Sequence, residues 1–289
     1  LMRVCKLQLP QGDAVGWIDG QHIRLLRSNP TARLSTLTDF LHAASPAEAI
    51  KNAVDHARTT IPLEQATLVA PVDQQEIWAA GVTYKRSQEA RERESEGAAR
   101  FYDLVYSAPR PELFFKSPAY RVSGPGQRVH IRRDSKWNVP EPELALVISP
   151  QLQLVGFTIG NDMSSRDIEG ENPLYLPQAK FYDHACAVGP AITLVDAMPT
   201  PDETIIRLII ERAGKPAFDG STKVSAMKRS FDELISWLGR ETSFPHGAIL
   251  LTGTGIVPPD DFTLAAGDVV HIEVTGIGRL TNTVGMRQG

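Results

Sequence analysis

Cysteine is scarce in this sequence of 289 residues, which contains two. Cys5 and Cys186 lie far apart and belong to no Cys-x-x-Cys or Cys/His spacing. The sequence therefore predicts neither a disulfide framework nor a zinc site. We expect both thiols to be buried and free.

Long apolar runs and an excess of positive charge are also lacking. No apolar run approaches the roughly 20 residues that a bilayer crossing requires. Lys and Arg number 30 against 34 Asp and Glu, a formal net charge of -4 that gives no general attraction to nucleic acid or anionic lipid. Arg3 and Lys6 fall where a secretory signal would be apolar. We expect a cytoplasmic protein with no nucleic-acid or membrane partner.

The first seventy residues predict a small α+β domain. Apolar and polar residues alternate in short stretches over residues 3–26, broken by two Gly-containing turns, which indicates an antiparallel meander. A short helix is expected from Thr36, and Ser45 with Glu48 fits a capping box before a second helix that runs to about Thr59. We predict domains over residues 1–70 and 71–289, the second of them catalytic.

The larger domain predicts mostly strands. Short apolar stretches punctuated by Gly and Pro recur after Pro111, and one amphipathic helix is expected over Phe231 to Leu238. The segment from Lys85 to Arg100 carries nine charges and almost no large apolar residue, so we expect a solvated helix or a lid. The fold class predicted is α+β, mostly β.

A pair of glutamates opens the most informative strand. Glu141 and Glu143 are two residues apart, so they share one face of an extended chain that continues as an apolar strand. The turn at residues 149–151 folds the chain back, and counting from it places Thr158 opposite Glu143 and Gly160 opposite Glu141. Asp162 then follows with the same facing parity. We predict that three carboxylates converge.

An all-oxygen cluster of this kind suits a hard divalent cation, Mg²⁺ or else Mn²⁺ or Ca²⁺. The alternative interpretation is structural: Glu141 and Glu143 flank an exposed sheet edge and Asp162 caps a turn.

The motifs around these carboxylates resemble the fumarylacetoacetate hydrolase superfamily. Its pattern is a Glu-x-Glu strand, a later Asp followed closely by Ser-Arg-Asp, and a Lys about twenty residues on; here these are Glu141, Glu143, Asp162, residues 165–167 and Lys180. Within the superfamily the sequence is most similar to dehydratases of 2-keto-3-deoxy-pentonates. The segments that carry this likeness are residues 110–116, 140–145, 171–178 and 252–258.

The resemblance implies a mixed β-sandwich roll and a homodimer or homotetramer. It assigns Glu141, Glu143 and Asp162 as Mg²⁺ ligands, and it places Glu112 and Lys180 near the substrate. Arg166 and Asp167 are expected to support the metal-binding turn.

One departure from the superfamily points to the reaction. Hydrolytic members resemble one another in a Gly-x-Asn-Tyr-x-x-His segment whose His activates water, whereas this chain has Ser87 where that His would stand. Glu169 likewise stands where those hydrolases have Gln. A hydrolase without its general base must recruit another, and His184 is the residue that the fold could bring to the site. Hydrolysis is therefore disfavoured.

Dehydration of a 2-keto-3-deoxy sugar acid to 2,5-dioxopentanoate, a lyase reaction of pentose catabolism, is the predicted function. It needs a base for a carbon 3 proton and an acid for the departing carbon 4 hydroxyl, beside a metal that stabilises the enolate. Glu112 and Lys180 are the catalytic candidates, and the sequence does not assign which is acid and which is base. Substrate-binding candidates are Arg110, Lys116 and Thr254.

Two other functions stay open at this point. The first is a hydrolase of acylpyruvates or of 2,4-diketo-3-deoxy sugar acids. The second is a binding module without catalysis, which is favoured only if the carboxylates are structural.

Overall fold

The computed structural model describes residues 1–56, 60–85 and 105–288. Strands dominate, and α-helices are short. The strands are β1 (Arg3–Leu9), β2 (Gly12–Asp19), β3 (His22–Leu25), β4 (Ile61–Pro62), β5 (Leu68–Val69), β6 (Glu76–Gly81), β7 (Glu112–Ser117), β8 (Arg128–Ile131), β9 (Asn138–Val139), β10 (Pro142–Ile148), β11 (Leu154–Asp162), β12 (Ser164–Ser165), β13 (Cys186–Leu194), β14 (Ile205–Arg212), β15 (Lys215–Lys223), β16 (Ala248–Leu251), β17 (Val269–Val274) and β18 (Gly278–Met286). The helices are α1 (Leu37–Leu41), α2 (Pro46–Ala53), α3 (Arg166–Glu171), α4 (Leu176–Lys180) and α5 (Phe231–Leu238). The predicted α+β, mostly β fold class is confirmed.

The main sheet runs through both predicted domains. Its strand order is β4-β3-β2-β1-β13-β11-β10-β16-β6-β7, with β5 paired to β1. The predicted N-terminal meander is present as β1, β2 and β3, and it joins the rest of the sheet where Val4 pairs with Ile192 of β13. Residues 1–70 thus share a sheet with residues 71–289, and the division at residue 70 stays a prediction.

A second, five-stranded sheet packs over the first in the order β15-β14-β17-β18-β8. The apolar core lies between the two sheets, because alternate side chains of β10 and β14 point toward each other. Leu144, Leu146 and Leu208 are buried there in one cluster with residues of β17 and β18. Helix α5 spans the residues that the sequence predicted and buries Leu234 in the same cluster.

Helix starts differ from the prediction at one place. The Ser45 side chain makes no capping hydrogen bond, so the predicted capping box with Glu48 is wrong, and α2 ends at Ala53. Thr36 and Asp39 form the reciprocal capping box instead, at the start of α1. Ser45 has φ -134 and ψ 90, outside the extended conformation from which Thr36 caps α1.

Two further predictions concern other parts of the chain. Residues 86–100 of the predicted lid lie outside the described residues, as do residues 57–59. Cys5 and Cys186 are free and buried as predicted, and burial raises the pKa of each thiol to about 12. In the described part of the chain, no helix has the length and apolar character needed to cross a membrane.

Candidate active site

The β10–β11 hairpin brings the predicted carboxylates together, with a register two residues away from the predicted one. Glu143 lies opposite Gly160, not Thr158, and the Asp162 amide donates to the Glu141 carbonyl at 2.9 Å. The turn extends to Gln153, where Ser149 N–H donates to its carbonyl, and a bulge near Val147 adds another residue. A shift of two residues preserves facing parity, so the three carboxylates still share one face.

The carboxylates of Glu141, Glu143 and Asp162 form a tight, buried cluster. One oxygen from each lies within 4.8 Å of the others. Glu141 is 5% exposed and the other two are 1% exposed. The alternative interpretation, an exposed sheet edge with a capping Asp, is therefore wrong. We call Glu141, Glu143 and Asp162 the carboxylate cluster.

Glu143 is held by the backbone of the loop after β16. The Gly253 amide donates to Glu143 Oε2 at 2.5 Å. Gly253 adopts φ +93, and a Cβ there would come within 2.1 Å of Thr83 Oγ1, so this loop requires glycine. Burial, followed by the charges of Asp162 and Glu141, raises the pKa of the Glu143 carboxyl. A cation at the cluster would relieve that repulsion.

Lys180, at the end of α4, lies between two of the carboxylates. Its Nζ donates to Glu141 Oε2 at 2.9 Å, to Asp162 Oδ2 at 3.0 Å and to Ser164 Oγ at 2.6 Å. The side chain is buried, yet it lines a cavity beside the cluster. Lys180 thus lies beside the carboxylate cluster, and its predicted place near the substrate stays a prediction.

Lys116 approaches the cluster from behind. Its Nζ lies 2.5 Å from Asp162 Oδ1 and donates to the backbone carbonyls of Met163 and Lys180. The side chain is fully buried and is not among the cavity-lining residues. The geometry makes Lys116 a charge partner of Asp162, and its predicted contact with substrate stays a prediction.

Helix α3 supplies the third cation. Arg166 is buried, and its Nη2 lies 2.9 Å from Glu141 Oε1. The neighbouring Asp167 points elsewhere: it accepts from Ser135 Oγ at 2.5 Å and from the Lys136 amide at 2.7 Å. Arg166 therefore contacts the carboxylate cluster directly, whereas Asp167 fixes the loop before β9.

Glu112, the first residue of β7, reaches the site from the edge of the main sheet. It pairs across the strands with Gly81, the last residue of β6. Glu112 lines the same cavity as Glu141, Asp162 and Lys180. The two predicted catalytic residues are therefore brought together beside the carboxylate cluster.

Two adjoining cavities make up the site. The inner cavity is bounded by Glu141 and Asp162 of the carboxylate cluster and by Gly253 and Thr254. The outer cavity is largely apolar and is lined by Val105, Arg110, Pro111, Glu112, Glu169, Pro173 and Leu176. Because Glu112 and Glu169 line both cavities, they stand at the junction between them.

The remaining substrate-binding candidates divide between these cavities. Thr254 lines the inner one, where its Oγ1 also accepts from the Ile256 amide at 3.2 Å. Arg110 lines the outer one, with its guanidinium 4.5 Å from the centre of the Trp237 ring. That stacking holds a cation at the outer end of the site.

The donor set of the site fits a divalent cation. Five carboxylates contribute to it: Glu112, Glu141, Glu143, Asp162 and Glu169. Four cations contact them or lie beside them: Lys116, Lys180, Arg166 and, in the outer cavity, Arg110. Carboxylates therefore outnumber cations at the site, and carboxylate oxygens are the ligands that Mg²⁺ prefers.

Histidine is absent from the described residues that line either cavity. His184 accepts from or donates to Ser123 Oγ through Nδ1 at 3.0 Å, and its ring lies 4.5 Å from that of His130. The predicted possibility that His184 approaches the site is therefore wrong. Ser87, where the hydrolases have their His, lies outside the described residues.

Sequence reasoning missed one lining residue as a candidate for chemistry. In the sequence Glu169 stands out only as a departure from the hydrolases, yet it is buried and lines both cavities. A usable signal was present: Glu169 follows Arg166 by three residues, so the two share one face of a helix.

Comparison with known proteins gives the same picture. A family model described as fumarylacetoacetate (FAA) hydrolase C-terminal matches residues 76–285. The chain is 50% identical over 214 residues, 74% of this chain and 73% of the other, to a "Probable 2-keto-3-deoxyxylonate dehydratase" of Haloferax volcanii. It is 41% identical over 224 residues, 76% of this chain and 75% of the other, to a "2-dehydro-3-deoxy-D-arabinonate dehydratase" of Saccharolobus solfataricus.

Among solved structures, the chain resembles a "2-keto-3-deoxy-D-arabinonate dehydratase complexed with magnesium and 2,5-dioxopentanoate". The TM-score is 0.80 at 32% sequence identity, and the match covers 100% of both chains. The likeness thus includes the N-terminal strands as well as the residues that the family model matches.

Proposed function

Because the chain belongs to the fumarylacetoacetate hydrolase family, we propose that its carboxylate cluster serves a Mg²⁺-dependent hydro-lyase. The substrate is a 2-keto-3-deoxy sugar acid, 2-dehydro-3-deoxy-D-arabinonate or a related D-pentonate, and the product is 2,5-dioxopentanoate. Relatives at 50% and 41% identity are named as dehydratases of such acids. A neighbour in structure holds magnesium together with that product.

The observation that carries this proposal is the convergence of three kinds of group on one cavity. The carboxylate cluster offers three hard oxygen ligands, Lys180 offers an ammonium, and Glu112 offers a further carboxylate. An elimination next to a ketone needs this set, since it requires a charge sink, an acid and a base.

Glu141, Glu143 and Asp162 would hold the metal. When bound, Mg²⁺ supplies a Lewis acid that polarises the 2-oxo group of the substrate and orients its carboxylate. Lys116 and Arg166 keep the outward oxygens of Asp162 and Glu141 occupied, so they hold these carboxylates in place.

Glu112 and Lys180 divide the proton transfers between them. Lys180 Nζ donates to three acceptors in the inner cavity, an arrangement that suits an ammonium able to protonate the departing carbon 4 hydroxyl. Glu112, a carboxylate at the junction of the cavities, suits the base that takes a carbon 3 proton. Thr254 and Arg110 would contact the substrate in the inner and outer cavities respectively.

Hydrolysis of acylpyruvates is the second candidate function, and the site offers little support for it. A water-activating His would have to line one of the cavities, and the described residues that line them include none. His184 is committed to Ser123 and His130.

Product analysis tests the proposal. The Mg²⁺-loaded protein is incubated with 2-keto-3-deoxy-D-pentonate, and 2,5-dioxopentanoate is followed by coupling to an aldehyde dehydrogenase. We expect turnover that Glu143→Ala abolishes while leaving the circular dichroism unchanged. Cleavage of an acylpyruvate that outpaces dehydration of every sugar acid tested would replace the dehydratase by the hydrolase.

Two properties of the whole molecule extend the proposal. We infer a homodimer or homotetramer from the resemblance to the superfamily, and sedimentation of the purified protein tests it. A cytoplasmic location and a role in pentose catabolism agree with the two free thiols and with the names of the relatives.

A further inference from the structure

The geometry points to Glu169 as the residue that performs a third proton transfer, at carbon 5 of the substrate. This inference rests on the proposed dehydratase function and adds a step to it. Glu112 and Lys180 account for the chemistry at carbons 3 and 4, but the reaction is incomplete without proton removal from carbon 5.

The balance of atoms shows why a third transfer is needed. In the elimination, the C3–H bond breaks, its electrons form the C3=C4 double bond, and the carbon 4 hydroxyl leaves with a proton as water. The intermediate is a conjugated enone, 5-hydroxy-2-oxopent-3-enoate. To reach an aldehyde, a C5–H bond must then break, with its electrons moving through C4 and C3 to the 2-oxo oxygen.

Protonation completes the sequence. The dienolate gains at carbon 3 the proton that Glu112 removed, which restores the 2-oxo group, and the C4=C5 enol then loses its O–H proton and gains one at carbon 4. The proton that Glu169 takes from carbon 5 replaces the one that Lys180 gave to the departing hydroxyl. The net change is the loss of one water molecule, and no oxidant or reductant is consumed. The additional base must therefore lie near carbon 5, two bonds beyond carbon 3.

Helix α3 aims Glu169 at the site. Arg166, three residues earlier, contacts Glu141 at 2.9 Å, and residues three apart share one helix face. Glu169 is accordingly buried, at 4% exposure, whereas Glu171 on the other side of the helix is exposed. Glu169 is thus directed by a neighbour that is itself fixed to the carboxylate cluster.

Glu169 lies at the right end of the site for carbon 5. A substrate with its carboxylate and 2-oxo groups at the carboxylate cluster extends away from that cluster, so carbon 5 is its most distant carbon. Glu169 lines both the inner and the outer cavity, and among the described residues Glu112 is the other one that does so. The two carboxylates at this junction can therefore take protons from two carbons of one short substrate, Glu112 from carbon 3 and Glu169 from carbon 5.

The outer cavity favours proton transfer over leakage of the intermediate. Val105, Pro111 and Leu176 line it beside Glu169, and they limit the water that could add to an enone or protonate it elsewhere.

The test compares Glu169→Gln with Glu171→Gln. Glutamine retains the size of Glu169 but has no carboxylate to accept a proton, and Glu171 is an exposed control on the same helix. In Glu169→Gln we expect formation of 2,5-dioxopentanoate to fall by at least about 10²-fold. The conjugated enone should accumulate, as detected by ultraviolet absorbance and by mass spectrometry of quenched samples.

Isotopes separate this role from a structural one. In D₂O, Glu169→Gln should still exchange the carbon 3 protons at the wild-type rate, because Glu112 is intact. Substrate dideuterated at carbon 5 should slow product formation by the wild type, with the enone becoming detectable. Glu169→Asp keeps a carboxylate and should have part of the wild-type activity. It keeps the test valid if Glu169→Gln fails to fold.

Two outcomes would overturn the inference. In the first, Glu169→Gln forms 2,5-dioxopentanoate at the wild-type rate. In the second, the Gln and Asp variants both lose carbon 3 exchange as well as product formation, and neither accumulates the enone. Either result leaves the dehydratase function standing, because that function fails only if the wild type itself forms no 2,5-dioxopentanoate from any sugar acid tested.

Discussion

Gly81 and Glu112 face each other across β6 and β7 with no room for a larger residue at position 81. A Cβ on Gly81 would lie 1.9 Å from Glu112 Oε2 and 2.6 Å from its carboxyl carbon. Glycine at this position therefore sets where the Glu112 carboxylate can stand.

Gly81→Ala should lower kcat by about 10²-fold, since a displacement of about 1 Å in a reacting group has a cost of that order. Substrate affinity should change much less, because the carboxylate cluster is untouched. Steady-state kinetics and circular dichroism measure the two effects. The control is Gly285→Ala, another strand glycine, whose Cβ would meet Arg128 and His130 at 3.3 Å away from the site; equal losses in both variants would contradict this account.

Removal of divalent metal should abolish turnover and leave the protein folded. Glu141 and Asp162 already have cationic partners in Lys116, Lys180 and Arg166, and Glu143 accepts from the Gly253 amide, so the fold does not depend on the ion. Added Mg²⁺ or Mn²⁺ should restore activity and raise Tm, because a ligand at about a hundred times its Kd stabilises by about 2.7 kcal/mol. Calorimetric titration of Mg²⁺ into Glu143→Ala should show strongly weakened binding. Unchanged Mg²⁺ affinity in this variant would contradict the assignment of the carboxylate cluster as the metal site.

Lys116→Met should destabilise the protein by about 3–5 kcal/mol, the scale for removing one partner of a buried ion pair. The substitution leaves Asp162 Oδ1 without its cation and two backbone carbonyls without their donor. Urea unfolding measures the loss. Lys215→Met, at an exposed position in β15, is the control and should change the free energy of unfolding very little.

Acid should weaken one contact between the N-terminal region and the rest of the sheet. Burial disfavours the charged form of Asp73, but hydrogen bonds from Lys6 and Thr38 outweigh it and lower the pKa of this carboxyl below 3.8. The folded pKa is then below the unfolded one, so the stabilisation is present above pH 3.8 and is lost as the pH falls through the folded value.

Asp73→Asn tests this sign. The variant should be less stable than the wild type at about pH 6, and the difference in unfolding free energy should shrink below about pH 4. Urea unfolding at a series of pH values gives both quantities. A difference that grows toward low pH would contradict the assignment.

The local pattern of the chain predicted the parts of the fold that depend on periodicity. Helix α5 has the predicted bounds, since its apolar spacing is regular. Strands β13 and β15 carry no such pattern. Gly189-Pro190 inside β13 is typical of a turn, and β15 is an exposed edge strand with little apolar alternation.

The carboxylate cluster was predictable, but its register was not. Facing parity follows from strand geometry alone, whereas the length of the Ser149–Gln153 turn and the bulge near Val147 depend on packing. The neighbours of the cluster illustrate the same limit. Lys116 lies far from Asp162 in sequence, and no local pattern indicates that it contacts this carboxylate from behind.

The pairing of β1 with β13 determines how a protein truncated at its N-terminus would behave. Besides Val4 and Ile192, Arg3 pairs with Thr193, and the Leu194 amide donates to the Met2 carbonyl. Expression of residues 71–289 alone would leave a bare strand edge, with Ile192 and Leu194 stripped of their apolar cover. Such an edge is a template for aggregation. The fragment of residues 71–289 is therefore expected to precipitate, although it retains every residue proposed for chemistry.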